Sequence, residues 1–207
     1  VRTLKRKGKI LIELNNNYVN VEDYKKTFSE DGVVRIFDFL TNESAEKLTN
    51  HVGNEVEFKN AFFLNNENKE ASDDEITNLQ PQQRRELYQE IYKLAGNGVG
   101  FLYGRHKIDS TQENTLVDAL QKLNSESNLS FIKEVVGNND IKHADGQATR
   151  YRVGDFLTRH VDNIPEETRK IAYVLGLSPI WHPDWGGLLQ FFQKDGTPQM
   201  SYMPVYN

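Results

Sequence analysis

Cysteine is absent from all 207 residues, which removes disulfides, thiolate metal sites and cysteine nucleophiles at once. A chain free of disulfides fits the cytoplasm, and that is the expected location. Long apolar runs are missing too, so nothing in the sequence reaches membrane-spanning length. The N-terminal stretch VRTLKRKGKILIEL is basic, but its apolar run ends at Glu13 and no small-residue cleavage site comes after it. It reads as an arm or strand rather than a signal peptide. The phosphate-loop pattern G-x-x-x-x-G-K-[ST], the G-x-S-x-G elbow and H-E-x-x-H do not occur. Gly96–Gly100 (GNGVG) does not open a helix after a strand, so no dinucleotide loop is expected there. Positive charge is not in excess: a net charge of −5 argues against a nonspecific nucleic-acid binder.

What is present is a soluble globular composition, with 11 Phe and 9 Tyr, too aromatic for a disordered chain. The length suits one domain with a substantial core. A strand is expected at Ile10–Leu14, ending in the turn Asn15-Asn16-Asn17. A helix over 21–31 is indicated by the spacing of Val21, Tyr24 and Phe28, with Gly32 as its stop. Val33–Leu40 reads as a strand, and Thr41 or Asn42 caps a helix through His51. Residues 65–80, acidic and without period, read as a solvated loop or lid. Pro81 opens a helix to Ala95, Val99–Ile108 is a strand, and helices are expected at Thr115–Leu123 and Leu129–Val136. From Ala148 the period becomes two, with strands expected at 148–153, 156–161, 169–177, 187–193 and from 202. Helices first and strands afterwards suggest one α+β domain in which 1–147 braces a jelly roll begun by 148–207.

The chemistry concentrates in residues 150–192. His160-Val161-Asp162 places an imidazole and a carboxylate two residues apart among strand formers, so both point to one face. That geometry lets two donors grip one metal ion, as in the facial triad of non-haem Fe(II) sites. H-x-D alone is a common pattern. His182-Pro183-Asp184 is a second instance in this chain, in a proline turn between Trp181 and Trp185, and is not expected to bind metal.

Around His160 and Asp162 stand Tyr151, the turn Gly154-Asp155, the apolar run Arg169–Leu177 and Trp185-Gly186-Gly187. This ordered set resembles the iron- and 2-oxoglutarate-dependent dioxygenases, in particular the prolyl 4-hydroxylase-like branch and its ribosomal-protein prolyl hydroxylases. Phe37–Leu40 and Pro81–Tyr103 fit the family's upstream layout. The resemblance implies a cupin-like double-stranded β-helix holding Fe(II), with 2-oxoglutarate and dioxygen as cosubstrates and ascorbate as an optional addition. His160 and Asp162 would be metal ligands, and Tyr151 would give its phenol to the cosubstrate carboxylate, against the alternative of a core tyrosine. Arg169 would be a substrate-side cation or a rim salt bridge. Trp185, with Trp181 and the 65–80 segment, would shape the mouth of the site. The implied substrate is a prolyl residue of a protein or peptide; the alternatives are a free amino acid or a binding module that has lost the iron. A zinc hydrolase is disfavoured, since only two ligands are visible.

The chain departs from the family in two ways. The family often has a second cosubstrate tyrosine where this chain has Gly176; on a strand, Ala172, Val174 and Gly176 would share an inner face with room for a ligand. No His comes after Trp185-Gly186-Gly187, and His51, His106 and His143 all precede the motif. The five or so strands of 148–207 fall short of the eight a jelly roll needs. The expectation is a longer gene, with further strands bearing a His and then an Arg or Lys.

Overall fold

The computed structural model describes residues 11–15, 21–162 and 169–207. The basic arm, the Asn16-Asn17 part of the first turn and the 163–167 break lie outside the described residues. Along the chain run α1 (Val21–Asp31), α2 (Asn42–Asn54), β1 (Lys59–Leu64), β2 (Glu67–Ala71), α3 (Asp73–Thr77), α4 (Pro81–Gly96), β3 (Phe101–Lys107), α5 (Thr115–Leu123), α6 (Glu126–Val136), β4 (Gln147–Arg150), β5 (Phe156–Leu157), β6 (Leu189–Phe192) and β7 (Pro198–Tyr202), with a 3₁₀ turn at Pro183–Trp185. These fall into two compact units: Val1–Glu55 with Asp109–Asp145 and Asn207, and Val56–Ile108 with Gly146–Tyr206. The architecture is mixed α+β with antiparallel sheets. No described helix is long and apolar enough to cross a membrane.

The first unit is helical, and its helices begin where side chains can absorb orphan amides. Thr41 Oγ1 accepts from the Ser44 amide, Asn114 Oδ1 from Val117 at 3.0 Å and Ser125 Oγ from Asn128. The Ser125 cap starts α6 at Glu126, earlier than the apolar period suggests, and Gly137 stops it in a left-handed turn (φ 68°). Leu48, Val117 and Val135 are among its buried core, and Tyr24 of α1 meets Phe131 of α6 edge to face. The strand expected at Val33–Leu40 and the described part of that expected at Ile10–Leu14 reduce to one bridge, Leu14 to Leu40. Leu40 spends its remaining polar groups on the Asn207 side chain, which accepts from its N–H at 2.7 Å and donates to its carbonyl at 2.8 Å.

The second unit carries an antiparallel sheet ordered β2-β1-β3-β4, with β5 also paired to β3, and a separate β6–β7 ribbon. Alternation gives the larger sheet two faces. Phe62 and Leu102 turn to α4 and bury against Ile91, Leu87 and Tyr88. Ala61, Phe63, Phe101 and Tyr103 turn the other way. The segment 65–80 is a correction to the expected loop: it holds β2, α3 and a two-residue hairpin turn with Asn65 and Asn66 at φ 56° and 60°. Asparagine tolerates that left-handed conformation, as a type I′ hairpin requires. Ser72 and Glu75 then cap α3 reciprocally, at 3.0 and 2.7 Å.

Further along, the expected strands shorten. That of 148–153 stops at Arg150, because Val153-Gly154 turns the chain, and that of 156–161 keeps only Phe156–Leu157. Residues 169–177 join no ladder, and the small face expected to be inner does not hold. Val174 is 80 % exposed, and the space that a Cβ on Gly176 would take is filled by the Val205 carbonyl. Two sheets are therefore present, without a closed double-stranded helix among the described residues.

Candidate functional site

The chain leaves β5 at Leu157, and Thr158 sets the course of the next residues. Its N–H (3.1 Å) and hydroxyl (2.8 Å) both donate to the Gly100 carbonyl. Its own carbonyl lies 3.0 Å from His160 Nδ1. A carbonyl only accepts, so this contact puts a proton on Nδ1, and in the neutral ring Nε2 is then the nitrogen able to ligate. Nε2 stands 3.5 Å from Asp162 Oδ1. A backbone carbonyl on one imidazole nitrogen and a metal on the other is the usual arrangement of a metal-ligating His. The separation of the two donors is one that a single ion can bridge. The side chains of His160 and Asp162 are about half exposed, at 48 % and 53 %, so an ion held there would be open to small molecules. Arg169 Nη1 is 3.8 Å from the same Asp162 oxygen, where it steadies the carboxylate. Among the described residues no group of three His, Asp or Glu forms a complete metal site. The donors present fit Fe(II) in kind and spacing as two ligands of a larger set.

Beside His160 opens a cleft of about 340 Å³, lined among others by Phe63, Asn68, Phe101, Leu157 and Thr158. It lies on the sheet face away from α4. Tyr103 and Tyr151 stack on that face with ring centroids 5.4 Å apart, and Phe101 packs against Tyr103 at the same distance. Lost hydration, with Tyr103 and Asp155 adding to it, pushes the Tyr151 phenol up to about 12. It therefore stays protonated at neutral pH and can only donate to an anion.

A polar brace holds the loop between Tyr151 and His160. Asp155 Oδ2 accepts from the Arg152 amide at 2.8 Å, and the Asp155 amide returns a bond to the Arg152 carbonyl at 2.9 Å. Between them Gly154 sits at φ +92° with Tyr92 Oη 2.7 Å from where a Cβ would stand. Burial raises the Asp155 carboxyl above its ordinary value, against the pull of the Arg152 amide and guanidinium. The Arg152 guanidinium reaches Asn60 Oδ1 and, at 3.3 Å, Asp73 Oδ1. Asn60 is almost fully buried and donates to the same Asp73 oxygen at 2.8 Å. That hydrogen bond, with Arg152 and Arg150 nearby, holds the Asp73 carboxyl below the usual range. Arg150 lies over the Phe58 ring at 4.8 Å.

Of the residues singled out from sequence, the structure brings His160, Asp162 and Arg169 together and places Tyr151 over Tyr103. Trp185 lies in the 3₁₀ turn, edge to face with Trp181 at 5.8 Å and 61 % exposed. His182 Nδ1 accepts from the Asp184 amide at 3.2 Å, so this side chain caps the 3₁₀ turn. His51 pairs with Glu55 and His106 with the Glu57 carbonyl. Sequence reasoning passed over Thr158, Tyr103 and the Asn60–Asp73–Arg152 brace. The signal for Thr158 was available, a hydroxyl residue two before the His. No local pattern announces the others, because they meet across strands.

Residues 146–207 match the family model described as the 2OG-Fe(II) oxygenase superfamily. No curated protein and no solved structure matches the chain. The family match covers the segment holding Tyr151, His160, Asp162 and Arg169, and for that segment it indicates a dioxygenase supplied by Fe(II), 2-oxoglutarate and dioxygen.

Proposed function

We propose that this chain is a 2-oxoglutarate- and Fe(II)-dependent dioxygenase that hydroxylates a prolyl residue in a protein or peptide, with residues 1–207 acting as one oxygenase domain. The jelly-roll form belongs to the same proposal, with β4–β7 as its first strands. Ascorbate remains an optional addition, and the cytoplasm the proposed location. The observation that carries the reading is the orientation of His160: Nδ1 is turned to the Thr158 carbonyl, and Nε2 stands beside Asp162.

Bound iron with 2-oxoglutarate and dioxygen supplies an oxidative decarboxylation that yields succinate, carbon dioxide and a hydroxylated product. The protein's part is to hold and orient. His160 Nε2 and Asp162 Oδ1 would ligate the metal, and Arg169 would restrain the carboxylate. The permanently protonated Tyr151 would donate its O–H to a cosubstrate carboxylate, and the Tyr103 ring beneath it fixes the phenol's direction. Phe63, Phe101 and Leu157 would displace water from the substrate.

The test is an anaerobic titration with Fe(II) and 2-oxoglutarate, following the visible charge-transfer band of the chelated oxoacid, with His160→Ala as control. A band in the wild type that vanishes in the variant supports the reading. A band that survives His160→Ala but is lost in His182→Ala would transfer the site to the other H-x-D. No band, in this chain or in one extended at its C-terminus, would leave a binding module in place of an enzyme. Succinate formation stimulated by a prolyl peptide and not by free proline would settle the substrate class.

A further inference from the structure

The outer edge of β2 leads into the cleft beside His160. The β1–β2 hairpin closes through a two-residue turn, and its closing pair is Leu64 with Glu67. In such hairpins the closing pair is hydrogen-bonded, and ladder bonds then alternate along the strand. Glu67, Lys69 and Ala71 therefore direct their main-chain groups to β1. Asn68 and Glu70 direct theirs outward. Among the described residues no strand pairs with that edge, and Asn68 and Glu70 are both exposed. Asn68 also lines the cleft that contains His160. Its cross-strand partner Phe63 lines it too.

Exposed edges are commonly blunted by a bulge, a proline or an edge charge. β2 has no proline, and its register with β1 runs without a shift. Its one lysine, Lys69, belongs to the inward-bonding set and is held by Glu67 at 2.8 Å, and Glu70, the one charge at an outward-bonding position, is tied across the sheet face to Arg105. Among the described residues the edge is unpaired where Asn68 lines the cleft.

We infer that the substrate is an extended polypeptide that docks as an added strand on β2, through the main-chain groups of Asn68 and Glu70, so that its following residues enter the cleft at His160. Main-chain bonds would supply affinity, and alternate side chains over Phe63 and Phe101 would supply selectivity. A small metabolite would use neither the edge nor its continuity with the cleft. The inference rests on the oxygenase reading only for what happens at His160, because docking is measurable without metal.

The probe is a display library of random 12-residue peptides, selected on the metal-free protein. Enriched peptides are then measured against Asn68→Pro and Asn68→Ala. Proline at an outward-bonding edge position keeps the hairpin and removes one donor. Alanine removes the side chain and keeps the donor. The expected result is about a tenfold weaker Kd for Asn68→Pro, the upper end of what one net hydrogen bond supplies, with Asn68→Ala within about twofold of wild type. Should Asn68→Pro fail to fold, hydrogen exchange on the wild type decides: bound peptide should slow exchange at the Asn68 and Glu70 amides about tenfold or more. Equal binding by the Pro and Ala variants, no enriched peptide, or unchanged exchange at both amides would each overturn the inference. Protection that rises with protein concentration and without peptide would overturn it in favour of a second copy of the chain. Failure of any of these with a His160-dependent band intact refutes the docking mode and leaves the oxygenase reading standing.

Discussion

Gly154→Ala should destabilise the second unit by about 2–3 kcal/mol, and the structure says where that energy goes. The residue sits at φ +92°, where an L side chain costs about 1–2 kcal/mol. The new methyl would stand 2.7 Å from Tyr92 Oη, so the phenol must move. Moving it breaks the hydrogen bond from Tyr92 to the Gly154 carbonyl (3.3 Å), worth about 0.5–1 kcal/mol at an exposed site. It also disturbs the packing of Tyr92 on Phe156. Trp181 and Trp185, the two tryptophans of the chain, both lie in this unit. Urea unfolding followed by fluorescence excited at 295 nm therefore reports on it. With an m-value of about 2 kcal/mol per molar, the midpoint should fall by about 1 M. The decisive comparison is the double variant with Tyr92→Phe, which removes the obstructing hydroxyl. Alanine at 154 should then cost about 0.5–1 kcal/mol less than it does alone. A midpoint unchanged by Gly154→Ala, or costs that simply add, would refute both the strained turn and its contact with α4.

The remaining predictions concern titrating groups. In an ultraviolet pH titration, the tyrosinate absorbance lost on Tyr151→Phe should belong to the last-ionising step, near pH 12. A raised phenol contributes stability that is complete below the unfolded value near 10 and is lost as pH rises through 12. A Tyr151 component ionising at pH 10 would remove the argument for a permanent donor. Asp73 is depressed, so its contribution is present above the unfolded carboxyl value near 4 and disappears as pH falls through its folded value. Asp73→Asn should therefore cost about 0.5–1 kcal/mol at pH 7 and progressively less below pH 4, as read by urea midpoints across pH. A cost independent of pH would mean that the Arg152 and Arg150 contacts to the carboxylate are idle.

The helices were legible because their signals are local. Caps, apolar period and stops at Gly32 and Gly137 sit within a few residues of one another, and α5 appears at Thr115–Leu123 as expected. α6 is the instructive exception: Ser125 begins it before the first apolar residue. The β1–β2 hairpin escaped notice for the opposite reason. An edge strand faces water on one flank, so ENKEA shows no apolar alternation, and the turn uses Asn-Asn where Asn-Gly would have announced it. Arg169–Leu177 misled in the other direction, since an apolar run need not join a strand ladder. His160 and Asp162 were legible from spacing plus neighbours, whereas their support was not. Thr158 acts through a backbone carbonyl, and Asn60, Asp73 and Arg152 meet only once three separate segments have been brought together.

The two units interleave along the chain: residues 1–55 and 109–145 build one, 56–108 and 146–206 the other. No single cut separates them, so limited proteolysis cannot release either intact. During synthesis the order of completion is fixed as well. α1 and α2 emerge first but must wait for α5 and α6 to close their core. β1–β3 are exposed by the ribosome well before β4 arrives at Gln147 to pair with β3. At about 5–20 residues per second, roughly 2–8 seconds pass between β3 and its partner. The stretch of β3 that β4 later covers, Gly104–Lys107, is then a nascent edge. Ribosome pausing between residues 107 and 147 would lengthen that interval, and misassembly during translation should respond to codon choice in this window.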